Sequence, residues 1–148
     1  MRFRPILLAI PAVFLPGLAF AEPADQAARE KKILAEVRVP EGFEATVFSC
    51  PPQSNYPVYA AAAPDGTVYI SSDKNGSLDR QGKRGSVVRL RDLDGDGRAD
   101  EAKAFVADVD SPRGLVWDYD RVYLMHPPHL SAFIDHNATA WRTSKKCW

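Results

Sequence analysis

Apolar and polar residues alternate over short segments along most of the chain after residue 42. Alternation with a period of two is typical of a β-strand with one buried face. Glycine, proline and aspartate separate the segments, and these residues favour turns. The pattern therefore predicts an all-β fold of short antiparallel strands. The predicted strands of the first part are 43–48, 58–63, 67–71, 87–91 and 104–109.

The first 21 residues have a different pattern. Arg2 and Arg4 precede an apolar run over residues 5–18, and Ala19-Phe20-Ala21 places small residues at both cleavage-determining positions. The run is shorter than the roughly 20 residues that cross a membrane. Residues 1–21 are therefore predicted to be a cleaved signal peptide rather than an anchor. The mature protein is expected to be secreted, periplasmic or extracellular, without membrane association.

Residues 22–38 are rich in Ala, Lys, Glu and Gln, and they predict a short helical leader. Beyond it, an internal repeat organises the strands: Val68-Tyr69-Ile70 recurs as Val122-Tyr123-Leu124. Repeated units with several short strands, roughly 40 to 50 residues each, are typical of propeller blades. Residues 39–137 are therefore predicted to be an incomplete β-propeller of about two blades. Its unpaired edges and unclosed core predict low stability alone.

Residues 138–148 lose the strand pattern and are interpreted as an aberrant tail. One codon choice for this tail, with a single G restored in front, reads Gly-Asp-Gly-Val-Ala-Asp-Glu. That sequence matches an aspartate-rich loop earlier in the chain, so we hypothesise that the tail is the product of a one-base frameshift. The gene's nucleotide sequence beyond Trp148 tests this hypothesis.

The composition is that of a soluble globular protein, with 45% hydrophobic and 26% charged residues. Lys plus Arg and Asp plus Glu both number 19, so the net charge gives no reason to expect nucleic-acid binding. Cys50 and Cys147 could pair in an oxidising compartment, but their spacing leaves this open. The chain has no Cys-x-x-Cys-His sequence that would attach a haem.

An aspartate-rich segment, residues 92–101, places five carboxylates within ten residues. We call it the aspartate loop. Oxygen side chains at its first, third, fifth and ninth places, a glycine at the sixth and a backbone carbonyl at the seventh match a Ca²⁺ loop. Lys103 replaces the bidentate glutamate of an EF-hand, and the flanks are strand-like, so a calcium-bound hairpin loop is predicted. A metal-free acidic turn is the alternative. The candidate metal residues are Asp92, Asp94, Asp96, Arg98, Asp100 and Glu101.

Two further groups of residues are candidate sites. If His126-Pro127-Pro128-His129 forms a polyproline II turn, the imidazoles lie roughly 9 Å apart, too far for one metal ion. This favours a rim-lining loop over a metal or catalytic role. Trp117 and Tyr119 are interpreted as blade packing rather than a ligand platform. No catalytic or cofactor-binding residue is predicted.

Several segments together resemble the exported membrane-bound dehydrogenase-like proteins related to glucose/sorbosone dehydrogenases. They are residues 40–44, 62–69, 84–90, the aspartate loop and residues 111–115. The resemblance implies a six-bladed propeller that uses pyrroloquinoline quinone (PQQ) to oxidise a sugar or alcohol. In that family the catalytic histidine and most quinone contacts are expected beyond the residues present here, so none is assigned.

The expected function is therefore that of an N-terminal fragment of a quinone-dependent sugar or alcohol dehydrogenase-like oxidoreductase, inactive as it stands. The alternative is a calcium-stabilised exported binding module without redox activity.

Overall fold

The computed structural model describes residues 23–74, 82–136 and 139–145, with side chains over residues 26–74 and 82–135. The predicted signal peptide and Cys147 lie outside these ranges. The elements, in chain order, are α1 Pro23–Leu34, β1 Pro57–Ala62, β2 Val68–Asp73, β3 Gly85–Arg91, β4 Glu101–Val109, β5 Gly114–Asp118, β6 Arg121–His126, β7 His129–His136 and β8 Thr139–Lys145.

The helical leader is confirmed as α1. Its alanine, glutamine, lysine and glutamate residues have high helix propensity, and Lys31 and Lys32 lie in the last turn, where cations complement the helix dipole. Within the described ranges, no helix has both the length and the apolar character needed to cross a membrane.

The strands form two four-stranded antiparallel sheets, ordered β1-β2-β3-β4 and β5-β6-β7-β8. Each strand pairs with its neighbours in sequence, which is the arrangement within a propeller blade. The β1–β2 turn shows how the sequence makes these hairpins: Gly66 has a φ of 83°, and Asp65 Oδ1 accepts a hydrogen bond of 3.0 Å from Thr67 N. The all-β, two-blade partial propeller is confirmed.

The sequence repeat coincides with the sheet topology. Val68–Ile70 lies in β2 and Val122–Leu124 lies in β6, and each of these is the second strand of its sheet. In both sheets the third strand is the apolar strand that follows in sequence. The repeated unit is therefore one whole sheet.

The hydrophobic core lies between the two sheets. Phe105 of the first sheet connects them, because its ring centroid is 4.9 Å from that of Tyr69 and 6.3 Å from that of Phe133 in the second sheet. Aromatic pairs at these distances add to the stabilisation from burial alone. The buried cluster comprises Tyr69, Val87, Phe105, Val106, Val109, Leu115, Val122, Leu124 and Phe133.

The strand predicted at 43–48 is wrong, since these residues form no strand. Their backbone and side chains bond to the aspartate loop instead. Phe48 O accepts a hydrogen bond from Ala99 N at 2.8 Å, and Thr46 Oγ1 donates to Gly97 O at 2.9 Å. Alternation indicated a half-buried segment, but it does not distinguish a sheet partner from a loop partner.

The second sheet continues past the predicted boundary at residue 137. β8 pairs along β7, with Asp135 opposite Ala140 and His136 opposite Thr139. Positions 137 and 138, between these strands, lie outside the described residues. The frameshift origin of the tail stays a hypothesis for the nucleotide sequence.

Gly85→Ala is expected to destabilise the fold by about 1–3 kcal/mol, because the new methyl group overpacks a buried site. An added Cβ would lie 2.5 Å from Pro112 Cδ and 2.8 Å from the Val109 carbonyl oxygen, and the backbone cannot easily give way. Urea denaturation measures the loss. Gly114→Ala is the matched control, since its Cβ would meet Met125 Cβ at 3.3 Å. Equal losses in the two variants would contradict the steric explanation.

Candidate functional site

The aspartate loop connects β3 to β4 at one end of the first sheet. Asp100 N donates a 2.9 Å hydrogen bond to Arg91 O, which closes the base of the loop. Gln53 Nε2 donates to Ala99 O at 2.9 Å, so the segment before β1 fixes the loop from the side. Tertiary contacts as well as local turns therefore hold the loop in place.

Three carboxylates of the loop are gathered at one point. Asp92, Asp94 and Asp100 each place an oxygen within 4.8 Å of the others. Like charges at this distance repel one another, and a divalent cation removes the repulsion. Carboxylate oxygens are the ligands that Ca²⁺ prefers, and a loop with several of them fits its irregular coordination. The residues present therefore fit a calcium ion.

The backbone of the loop is wrapped around Asp92. Its Oδ1 accepts a hydrogen bond from Gly95 N at 2.6 Å and its Oδ2 accepts one from Gly97 N at 2.9 Å. These bonds hold the pKa of Asp92 below its usual value, and the bond from Gly95 has the largest effect. Gly95 and Gly97 have φ values of 82° and 80°, which explains the glycines at these places. Asp92 is thus ionised and oriented before any metal binds.

The side chains of the other three candidate residues have other partners. Asp96 Oδ1 accepts a hydrogen bond from Arg98 N at 2.8 Å, and Arg98 Nε donates to Glu30 Oε2 of α1 at 3.1 Å. Glu101 forms ion pairs with Arg89 and Lys103. The structure therefore brings together three of the six candidate residues and places the side chains of Asp96, Arg98 and Glu101 in ion pairs around them.

An open cavity of about 510 Å³ lies between the two sheets, next to the aspartate loop. We call it the inter-sheet cavity. It combines an indole ring with two guanidinium groups and three carboxylates. The lining residues are Ala63, Pro64, Asp65, Thr67, Tyr69, Arg89, Arg91, Trp117, Asp120 and Asp135.

An ion-pair network forms the floor of this cavity and links the sheets. Arg89, which is 8% exposed, donates through Nη1 to Asp135 Oδ2 at 3.1 Å and through Nη2 to Glu101 Oε1 at 2.7 Å. Tyr69 Oη donates to the same Asp135 oxygen at 3.1 Å. Burial raises the pKa of the Tyr69 hydroxyl, and the negative charge of Asp135 raises it further. Burial alone would lower the pKa of Arg89, but its bonds to Asp135 and Glu101 raise it.

Trp117 and Tyr119, the two aromatic residues that were predicted to pack within a blade, differ in position. Trp117 is half-buried, packs against the core cluster and lines the inter-sheet cavity. Tyr119 lies in the next turn with a φ of 61° and is 87% exposed. Trp117 therefore packs within the blade as predicted and also lines a cavity, whereas the prediction of blade packing is wrong for Tyr119, because the left-handed turn directs Tyr119 into solvent.

The expected separation of His126 and His129 is also wrong. Pro127 and Pro128 form a two-residue turn with a cis peptide bond between them, rather than a polyproline II segment. The two histidines are therefore register partners across β6 and β7, and their ring centroids are 5.6 Å apart. Spacing in the sequence did not indicate this pairing, because it depends on the turn geometry.

No curated protein and no solved structure matches the chain. A family model with the description Domain of unknown function (DUF7133) matches residues 29–147, which include the second half of α1, both sheets and the aspartate loop. Since this match covers most of the 148 residues, the chain belongs to the DUF7133 family.

Proposed function

We propose that this chain is a calcium-stabilised, exported propeller unit that binds a polyhydroxylated ligand, a sugar or an alcohol. The observation that carries the proposal is that the aspartate loop and the inter-sheet cavity share a wall. Arg91 lines the cavity, and its carbonyl oxygen closes the base of the loop. A cation bound by the loop would therefore fix one side of the ligand cavity.

The chemistry of the cavity favours a neutral ligand rich in hydroxyl groups. Its carboxylates accept hydrogen bonds, its guanidinium groups donate them, and neither charge strongly dominates. The half-buried ring of Trp117 offers an apolar face against which the C–H groups of a sugar ring can pack. An apolar surface with a few convergent polar groups is the usual composition of a small-molecule site.

Trp117→Ala is expected to weaken sugar binding at least tenfold, about 1.4 kcal/mol, because the ligand loses its aromatic surface. Isothermal titration calorimetry with a panel of sugars and sugar alcohols, in the presence of Ca²⁺, measures the effect. Tyr119→Ala is the matched control, since this aromatic residue is exposed outside the cavity. If no member of the panel shows binding that depends on Trp117, the proposed ligand class is wrong.

A second candidate function is quinone-dependent sugar or alcohol oxidation by the complete protein. Two consecutive sheets with propeller topology favour it, together with the motifs that resemble the glucose/sorbosone dehydrogenases. In this case PQQ would supply the redox chemistry, and the described residues would contribute the calcium loop and part of the scaffold. No residue of this chain is assigned to the quinone.

The two candidates are separated by assaying the complete gene product with PQQ, Ca²⁺ and an electron-accepting dye across the same sugar panel. Dye reduction that requires both quinone and sugar supports the dehydrogenase. Saturable sugar binding without dye reduction supports the binding module.

A further inference from the structure

We propose that His126 and His129 form a second metal site, for a transition-metal ion of the Zn²⁺ class. The site lies in a cavity of about 250 Å³ between the sheets, at the end opposite the aspartate loop. We call it the histidine cavity. Its polar lining residues are Lys83, Asp108, Asp110, His126 and His129. The site is independent of the function proposed above, since it shares no residue with the aspartate loop or the inter-sheet cavity.

The separation of the two imidazoles fits a shared metal ion. His126 and His129 are directly opposite on neighbouring antiparallel strands, so their side chains project to the same side of the sheet. Two imidazoles bound to one tetrahedral ion, with bonds of about 2.0–2.1 Å, have ring centres roughly 5 Å apart. The observed separation of the ring centroids, 5.6 Å, is close to this value.

A buried hydroxyl group orients the first imidazole. His126 Nε2 lies 2.8 Å from Ser131 Oγ, and both residues are almost completely buried, at 4% and 0% exposed. Metal-binding histidines usually bond through their second ring nitrogen to a neighbouring acceptor, which fixes the ring and raises its basicity. Ser131 is in position to serve this role. His129, which is only partly buried, gives the ion access from solvent.

The cavity also supplies carboxylates and an unusual backbone. Asp108 and Asp110 line it, Asp110 accepts a hydrogen bond from Lys83 N, and water would complete the coordination. Lys83 and Asp108 have φ values of 60° and 56°, in the left-handed region that non-glycine residues rarely occupy. Such conformations concentrate at functional sites, where the surrounding structure maintains them. Imidazole ligands select Zn²⁺, Cu²⁺ or Ni²⁺, whereas the all-carboxylate aspartate loop selects Ca²⁺.

Zinc titration of the full chain by calorimetry tests the proposal. We expect His129→Ala to weaken Zn²⁺ binding at least tenfold while Ca²⁺ binding is unchanged. Asp92→Asn is the matched control and should show the reverse pattern. Co²⁺ replacing Zn²⁺ should give the visible absorption of a tetrahedral complex, which is lost in His129→Ala.

Circular dichroism establishes that His129→Ala remains folded, and His129→Asn provides a second variant with a similar size. Zinc affinity that is equal in the wild type and in both folded variants would overturn the proposal. Zinc binding that is lost in Asp92→Asn and retained in His129→Ala would overturn it as well, because the ion would then lie in the aspartate loop.

Discussion

Asp92→Asn is expected to abolish the thermal stabilisation that Ca²⁺ gives to this chain. The wild-type loop gathers three carboxylates, and an ion that binds only the folded state stabilises it by about 2.7 kcal/mol at a hundredfold excess over the dissociation constant. For a domain of this size the gain corresponds to an increase in Tm of roughly 10 °C. Differential scanning calorimetry with Ca²⁺ or with a chelator measures both values.

Asp96→Asn is the matched control, because it makes the same chemical change in the same loop. The Asp96 side chain bonds to Arg98 rather than to the three-carboxylate cluster, so most of the Ca²⁺ effect should remain. Equal losses in the two variants would instead support the wider ligand set predicted from the sequence. A wild-type Tm that does not respond to Ca²⁺ would contradict the calcium site itself.

Acid should weaken the site in a defined direction. The pKa of Asp92 is lowered in the folded state by the Gly95 and Gly97 amides. Its contribution to stability is therefore complete above the ordinary aspartate pKa of about 3.9 and is lost as the pH falls through the lower folded value. Ca²⁺ competes with protons for the same oxygens, so calcium affinity should decline over the same acidic range.

The aspartate loop was predictable because its determinants are local. Three carboxylates and two glycines with positive φ lie within nine consecutive residues, and spacing alone indicates their arrangement. Strand alternation and the repeat likewise predicted the two sheets. These features depend on residues that are close in sequence, which is the range over which a pattern carries physical information.

The missed features depend on contacts between distant segments. Arg89 and Asp135 are separated by 46 positions, and no pattern in either segment indicates that they meet. The histidine pair was missed because its separation depends on whether two prolines extend or turn. β8 was missed because Trp, Arg, Thr, Ser and Lys follow one another without clear alternation, yet the open edge of β7 offers backbone partners.

Equivalent residues of the repeat show which face of each sheet is buried between the two sheets. Tyr69 and Tyr123 occupy equivalent places in successive sheets, but Tyr69 is buried in the core between them while Tyr123 is only partly buried. The face of the second sheet that packs against the first sheet carries Val122 and Leu124 instead of Tyr123. The face of the second sheet that is equivalent to the Tyr69 face carries Val116 and Met125, which are 58% and 43% exposed. In a propeller each blade is rotated about the central axis relative to the blade before it, so one face of a blade packs against the opposite face of the next blade.

Arg89→Met is expected to cost about 3 kcal/mol of folding stability, because it removes the buried cation that bonds to the carboxylates of Asp135 and Glu101. We place the loss at the lower end of the range for buried pairs, since the side chains of Asp135 and Glu101 retain 20% and 24% exposure. Arg89 of β3 bonds to Asp135 near the end of β7, so its replacement should weaken the packing of the two sheets against each other. Urea denaturation at neutral pH measures the free energy of unfolding.

Two controls and a pH series isolate this ion-pair network. Arg91→Met removes an exposed guanidinium group from the same cavity and should change stability by less than about 0.5 kcal/mol. Tyr69→Phe removes only one hydrogen bond to Asp135 and should cost about 1 kcal/mol. The deficit of Arg89→Met should shrink in acid, because bonds to Lys103 and Arg89 lower the pKa of Glu101, and the stabilisation from Arg89 is lost as the pH falls through that lowered value. A deficit that is independent of pH would show that Arg89 acts through packing of its aliphatic stem, and wild-type stability in Arg89→Met would exclude a structural role for the network.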